Sequence, residues 1–231
     1  MKNGSFLKRA LFAGAACLTL SASPVVNAGT LTSSSLSGEA VTINFNGSSG
    51  GTTAGVFTGT FDSTAIIFWC IDLTKHVSYP PFSYSGYTAA PFESAPLGFS
   101  AARQLDLARL FSNDFSLALT DAHHSAAFQL AIWDILFDND ANLSTSGGAG
   151  QFGMTGGDFT TRALAQSWVT GLGSGTPTFP LVQLTSRDHQ DFITPPGTGL
   201  VPEPAALQLL GAGLAAMMFA MRRRRIGGHP I

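Results

Sequence analysis

Two residues in the middle of the chain have side chains that could do chemistry. Cys70 is one of two cysteines in the 231-residue sequence, and the other, Cys17, lies near the N-terminus. Gln129 interrupts the long apolar run 126–135. Burying a side-chain amide without hydrogen-bond partners costs about 1–3 kcal/mol. We therefore expect Gln129 to be hydrogen-bonded, to face solvent or to be used chemically.

Three interpretations of Cys70 are open from the residues alone. The apolar run 66–71 that contains it favours an inert, buried side chain. Exported proteins tend to pair their cysteines or to avoid them. A lone cysteine could therefore also form an intermolecular disulfide or act as a reactive thiol.

Histidines could suggest a metal site or a hydrolase. His123 and His124 are adjacent, and neighbouring residues on a helix cannot both reach one ion from one face. A cysteine hydrolase set of Cys70, one of these histidines and Asp134 is a further possibility. Asp134 lies roughly three turns along the same predicted helix, too far to orient either imidazole. His76 and His189 complete the set of candidate metal ligands, and we expect surface histidines rather than a metal site.

A calcium site is suggested by the run 138–140, Asp-Asn-Asp. The run lacks the glycine and the distal glutamate of an EF-hand loop. We expect it to end a helix in solvent, and we predict no cofactor.

The elements that must position Cys70 and Gln129 follow from apolar periodicity. A continuous apolar strand is predicted over 65–73, and a helix over 121–137 with Thr120 as its N-cap. Further strands are predicted at 39–45 and 55–61, with a turn between them at 46–51, and closing strands at 179–184 and 191–193. Two further helices are predicted at 99–111, ended by Asn113, and at 159–172. The remaining stretches are predicted to be a flexible lead-in over 29–38, a long loop with one short strand over 74–95, and a loop over 143–157. This order indicates a single β-rich α+β domain with about three helices over 29–194.

Charge is segregated along the chain. Only 11% of the residues are charged, well below the usual quarter. Residues 29–204 contain five basic and fourteen acidic residues, a net charge of −9, whereas most basic residues lie in the two tails. An acidic body excludes binding to a phosphate backbone, so no nucleic-acid partner is expected.

Residues 1–28 have the pattern of a Sec signal peptide. Lys2, Lys8 and Arg9 precede the apolar stretch 10–20, and small residues allow cleavage before Gly29. The sequence therefore predicts an exported, secreted or surface-located protein.

The C-terminus carries a second targeting pattern. A Pro/Gly linker over 195–204 ends in Pro202-Glu203-Pro204, and an apolar run of about 25 Å follows over 205–221. The basic tail 222–231 begins with Arg222, Arg223, Arg224 and Arg225. By the positive-inside rule this tail stays cytoplasmic, which makes 205–221 a predicted transmembrane helix of the inner membrane.

The order of these three C-terminal parts closely resembles the PEP-CTERM sorting signal of Gram-negative bacteria. The resemblance covers residues 201–225 and implies an exosortase as partner, which removes the tail after transient anchoring in the inner membrane. It further implies an association with exopolysaccharide and a final location at the outer cell surface or in the extracellular matrix.

A second resemblance involves Cys70 and Gln129 together. The segment 68–73, Phe-Trp-Cys-Ile-Asp-Leu, and the segment 129–133, Gln-Leu-Ala-Ile-Trp, resemble the two signature segments of the bacterial surface thioester domain. The resemblance implies a thioester between Cys70 and Gln129, in a pocket with Trp69, Asp72, Phe128 and Trp133. Phe128 stands where the family has threonine.

The resemblance implies covalent attachment rather than turnover catalysis, so the protein is not expected to be an enzyme. A thiolate would attack the Gln129 amide and expel ammonia, and apolar walls would keep water away. An amine- or hydroxyl-bearing surface ligand, or an exopolysaccharide, would then be acylated. The alternative is a non-covalent structural or exopolysaccharide-associated matrix protein without the bond.

Overall fold

The fold is described from a computed structural model that covers residues 28–94, 97–138, 142–143, 152–177 and 179–195. Within these ranges the chain forms seven strands and three α-helices, so the predicted β-rich fold with about three helices is confirmed. The strands are β1 (Gly29–Phe45), β2 (Ser48–Phe61), β3 (Thr64–Cys70), β4 (Phe82–Pro91), β5 (Phe152–Gly156), β6 (Val182–Thr185) and β7 (Phe192–Thr194). The helices are α1 (Ala101–Ala118), α2 (Ala122–Phe137) and α3 (Phe159–Thr170), with a 3-10 turn at Phe92–Ser94.

Six of these strands pair edge to edge until the sheet closes on itself. The order β2-β3-β7-β6-β4-β1 returns to β2 because β1 and β2 also pair, and every pairing is antiparallel. β5 pairs with the far half of β1, outside this ring. Closure leaves few exposed strand edges in this part of the sheet.

Two tight hairpins start the ring. Asn46 and Gly47 connect β1 to β2 with φ angles of 51° and 79°, and Asp62 and Ser63 connect β2 to β3 with 45° and 69°. Two consecutive positive φ angles are typical of the type I′ turns that match the twist of a hairpin. The predicted turn over 46–51 is correct in place but too long, since pairing resumes at Ser48.

The prediction of a flexible lead-in over 29–38 is wrong. This segment is the first half of β1, where Leu31 is fully buried and lies between Phe61 of β2 and Tyr84 of β4. Short Ser and Thr side chains fit a pleated sheet as well as a loop, so composition alone did not separate the two.

Four further details differ from the sequence predictions. The stretch 74–95 contains the ten-residue strand β4, and the predicted loop 143–157 contains β5. α1 continues past Asn113 because Phe111 and Phe115 both pack on Trp69, with ring centroids 5.5 and 5.9 Å away. The N-cap of α2 is Asp121, not Thr120, since the Asp121 carboxylate accepts a hydrogen bond from the backbone N–H of His124.

α2 is the central helix of the molecule. It packs against β1 and β2 on one side and against α1 and α3 on the other. Twelve of its sixteen residues are buried, as expected for a helix that is apolar on every side. The Gln129 side chain is therefore enclosed by the fold.

The end of β3, Phe68 to Cys70, is buried on both faces as predicted, whereas Ala65 is exposed and the strand stops at Cys70 and not at residue 73. The Phe68 ring packs with Phe57 and Phe192 inside the ring of strands. The Trp69 ring points the other way and contacts Phe111 and Phe128 of the helices. Cys70, one residue further on, returns to the face of Phe68 by the two-residue period of a strand.

Among the described residues, no helix combines the length and apolar character needed to cross a membrane. The predicted signal peptide up to residue 27, most of the linker, the Pro-Glu-Pro motif, the apolar run 205–221 and the basic tail lie outside the described residues.

Candidate functional site

Cys70 closes β3 and its thiol is buried. The residue pairs with Phe192 of β7 and is only 2% exposed. Its S–H donates to the carbonyl oxygen of Asp72 over 3.0 Å. The sulfur in turn accepts a hydrogen bond from Nε2 of Gln190 over 2.6 Å. The thiol is therefore held from two sides.

Gln129 reaches from α2 to the main chain of Cys70. Its Oε1 accepts the backbone N–H of Cys70 at 2.9 Å, and its Nε2 donates to the Cys70 carbonyl oxygen at 2.8 Å. The side-chain amide thus pairs with the cysteine as a neighbouring strand would, at the point where β3 ends. Of the three expectations for Gln129, solvent exposure is excluded, because the residue is 1% exposed.

Burial dominates the protonation of Cys70. It raises the pKa of the thiol to about 12, against smaller lowering contributions from the Asp72 backbone and the Trp133 indole. The buried Trp133 Nε1 has no hydrogen-bond partner among the described residues. As a free cysteine, Cys70 is therefore protonated at neutral pH.

Gln190, which sequence reasoning missed, is fixed by the residues around it. Tyr87 donates from its hydroxyl to the Gln190 carbonyl oxygen at 2.7 Å. The adjacent Asp191 carboxylate accepts the Ser186 N–H at 2.7 Å and pairs with Lys75 Nζ at 3.0 Å. These contacts hold the segment between β6 and β7 against the start of the loop after β3.

A cavity of about 610 Å³ opens above the cysteine. Cys70, Gln129 and Trp133 lie in its wall together with Gln190 and His76. It gives the sulfur and the amide a common opening towards solvent, which is the usual setting of a binding or reactive site.

The four predicted pocket residues have different surroundings. Trp133 lines the cavity, and Asp72 contributes its carbonyl oxygen to both the Cys70 thiol and Gln190. Trp69 and Phe128 do not line this cavity. They contact each other at 5.2 Å between ring centroids, in the aromatic cluster between β3 and the helices.

The alternative metal and hydrolase sites gain no support in the described part of the chain. No group of three or more His, Cys, Asp or Glu residues there is arranged to hold a metal ion. His124 contacts Asp121, and His123 contacts Thr161 and Glu39. The hydrogen bonds of the Cys70 thiol go to Asp72 and Gln190, not to a histidine.

The suggested calcium run is only partly described. Asp138 ends α2 as predicted, but it is buried and not in solvent as expected, because its carboxylate accepts the Phe152 backbone N–H at 3.1 Å and connects α2 to β5. Residues 139 and 140 lie outside the described residues.

Comparison with known protein families gave one match, at the C-terminus. The model of the PEP-CTERM protein-sorting motif matches residues 200–225. The chain carries a PEP-CTERM sorting motif. This motif implies a protein that is exported, anchored in the membrane for sorting and processed by an exosortase in a Gram-negative bacterium. Comparison with curated proteins and with solved structures gave no match.

Proposed function

We propose that this exosortase-processed protein attaches covalently to a partner at the cell surface or in the extracellular matrix, through a thioester between Cys70 Sγ and Gln129 Cδ. One observation carries the proposal. A buried glutamine amide is hydrogen-bonded at both ends to the main chain of the only cysteine in the described part of the chain. A helix and a strand 59 residues apart in sequence thereby bring a side-chain amide against the main chain of a cysteine, and both residues line one cavity.

Bond formation requires charge stabilisation on the amide oxygen. As the sulfur attacks Cδ, negative charge develops on Oε1, which already accepts the backbone N–H of Cys70. A preorganised donor at that position lowers the barrier in the manner of an oxyanion hole. The C–N bond then breaks, and Nε2 leaves as ammonia with the proton of the thiol.

The same environment suits sulfur as a nucleophile and as a leaving group. The pKa of about 12 makes the thiolate rare, which opposes spontaneous attack. The Gln190 N–H contact to the sulfur offsets part of this cost when charge develops there. Cys70 and Gln129 are only 2% and 1% exposed, which limits the access of water from the cavity to the thioester.

Opening the thioester would attach the partner. An amine or hydroxyl group that enters the cavity attacks Gln129 Cδ, the C–S bond breaks, and Cys70 recovers its thiol. The partner is an amine- or hydroxyl-bearing surface ligand or an exopolysaccharide. Each molecule reacts once, so the protein is a cross-linker and not a turnover enzyme.

Methylamine incorporation tests this function. The exported protein is treated with methylamine and digested, and the peptide containing residue 129 is sequenced by mass spectrometry. We expect N-methylglutamine at 129 in the wild type and unmodified glutamine in a Cys70→Ser variant. Unmodified Gln129 in both proteins would refute the thioester and favour the alternative, a non-covalent structural or exopolysaccharide-associated matrix protein.

A further inference from the structure

Among the described residues, none of those that line the cavity above Cys70 and Gln129 is Asp, Glu, Lys or Arg. A lysine ammonium entering it would lose hydration and find no carboxylate in exchange, which is costly. The adjoining cavity contains Lys75, whose positive charge is already paired with Asp191. These surroundings favour an uncharged nucleophile over the protonated amine of a lysine.

The rim of the cavity offers hydroxyl groups. Thr52, Thr53 and Tyr79 line it, and their hydroxyls make no hydrogen bond with the described residues. Tyr79 is 70% exposed, so its ring is also available as an apolar contact surface. Hydroxyl donors and acceptors beside an exposed aromatic ring suit a polyhydroxylated ligand, which has polar edges and apolar faces.

Among the described residues that line the cavity, His76 carries the imidazole group. It is exposed and makes no hydrogen bond or ion pair with the described residues. A neutral imidazole with a free nitrogen can act as a general base. A hydroxyl nucleophile needs such a base, because it must lose its proton as it attacks, whereas a free amine attacks through its lone pair.

We propose that the nucleophile accepted by this site is a hydroxyl group of a neutral carbohydrate, and that His76 takes its proton. This inference rests on the proposed thioester. The sugar oxygen bonds to Gln129 Cδ, the C–S bond breaks, and the alcohol proton passes to His76. The Cys70 thiolate then takes that proton, leaving an ester at residue 129 and a free thiol.

Competition between probes tests the assignment. The exported protein is incubated separately with maltohexaose, with glycerol, with a lysine-containing peptide and with methylamine, and each adduct is measured by intact mass. The variants are His76→Gln and, as a matched control, His124→Gln, whose imidazole contacts Asp121 at the start of α2. Circular dichroism confirms that both variants are folded.

The expected result is ester formation with the two neutral polyols in the wild type and in His124→Gln. In His76→Gln the rate of ester formation should fall roughly 100-fold or more, the usual scale of general-base catalysis, while methylamine addition falls far less. Preferential capture of the lysine peptide, or ester formation that is unaffected by His76→Gln, would overturn the proposal. Addition of methylamine without any reaction of the polyols would also overturn the proposal, but it would still support the thioester. Absence of the methylamine adduct in the wild type would instead remove the thioester and, with it, this inference.

Discussion

The side-chain amide of Gln190 lies 2.6 Å from the sulfur of Cys70, although the two residues are 120 positions apart in the chain. The same Nε2 donates to the Asp72 carbonyl oxygen at 2.7 Å, so its direction is defined by two acceptors. A donor fixed in this way stabilises negative charge on the sulfur without reorganising. It is therefore placed to assist the sulfur as a leaving group when the proposed thioester opens.

Replacing Gln190 with leucine tests this role. A hydrogen bond to a charged group contributes about 1.5–3 kcal/mol, so we expect methylamine to open the thioester roughly 10- to 100-fold more slowly. The measurement is the rate of adduct formation by intact mass. Gln104→Leu is the control, because that amide donates to Phe99 at the start of α1. An unchanged rate in Gln190→Leu would show that the sulfur does not depend on this donor.

The ion pair between Lys75 and Asp191 should stabilise the fold in a pH-dependent way. Asp191→Asn removes the nearer of the two carboxylate partners of Lys75 and is expected to lower the free energy of unfolding by about 1–3 kcal/mol near neutral pH. Urea unfolding measures this difference. Asp188→Asn, an exposed carboxylate in the same segment, is the control and should change stability little.

The sign of the pH effect follows from Lys75. Burial alone would lower its pKa, but the hydrogen bond and charge of Asp191, aided by Asp72, raise the pKa above 10.5. Burial raises the pKa of Asp191, so the pair is lost at acid pH as this carboxylate takes up a proton. Above that range the stabilisation is present up to pH 10.5, and it is lost as the pH rises through the folded-state pKa of Lys75. The gap between wild type and Asp191→Asn should close at strongly alkaline pH, and a gap that stays constant would contradict this account.

Replacing Phe128 with threonine, the residue that the thioester family has at this position, should not promote formation of the thioester. Phe128 is fully buried, with ring centroids 4.9 Å from Phe111 and 5.2 Å from Trp69, and does not line the cavity. Phe128→Thr leaves a void in this aromatic cluster and is expected to cost about 3–5 kcal/mol of stability. Phe159→Thr, at a residue 58% exposed, should cost far less.

The readout for Phe128→Thr is the fraction of folded protein that reacts with methylamine. We expect this fraction to be no higher than in the wild type. A clear increase would mean that a hydroxyl at position 128 takes part in forming the bond.

Local signals in the sequence predicted much of the fold. Continuous apolar character identified β3, the run 46–51 was predicted as a turn in the right place, and the apolar run around Gln129 predicted α2. The errors occurred where composition is ambiguous, as in the Ser/Thr-rich half of β1, or where long-range pairing creates a strand, as in β5.

The candidate site could be predicted only in part. Cys70 and Gln129 stand out by residue type in apolar segments, but Gln190 and His76 lie in irregular segments with no periodicity to mark them. Gln190 approaches the sulfur because β7 pairs with β3, and a pairing between such distant segments leaves no local trace in the sequence. The three aromatic residues predicted for the pocket illustrate the same limit. Trp133 lines the cavity, whereas Trp69 and Phe128 do not.

The intact mass of the exported protein tests the central claim most directly. Wild type and Cys70→Ser are purified in the same way, so that any processing at the ends cancels, and their masses are compared after correction for the sulfur-to-oxygen change. A Cys70–Gln129 thioester predicts a wild type lighter by one ammonia, and methylamine should then add its full mass to the wild type alone. Equal corrected masses, with no methylamine adduct, would contradict the account.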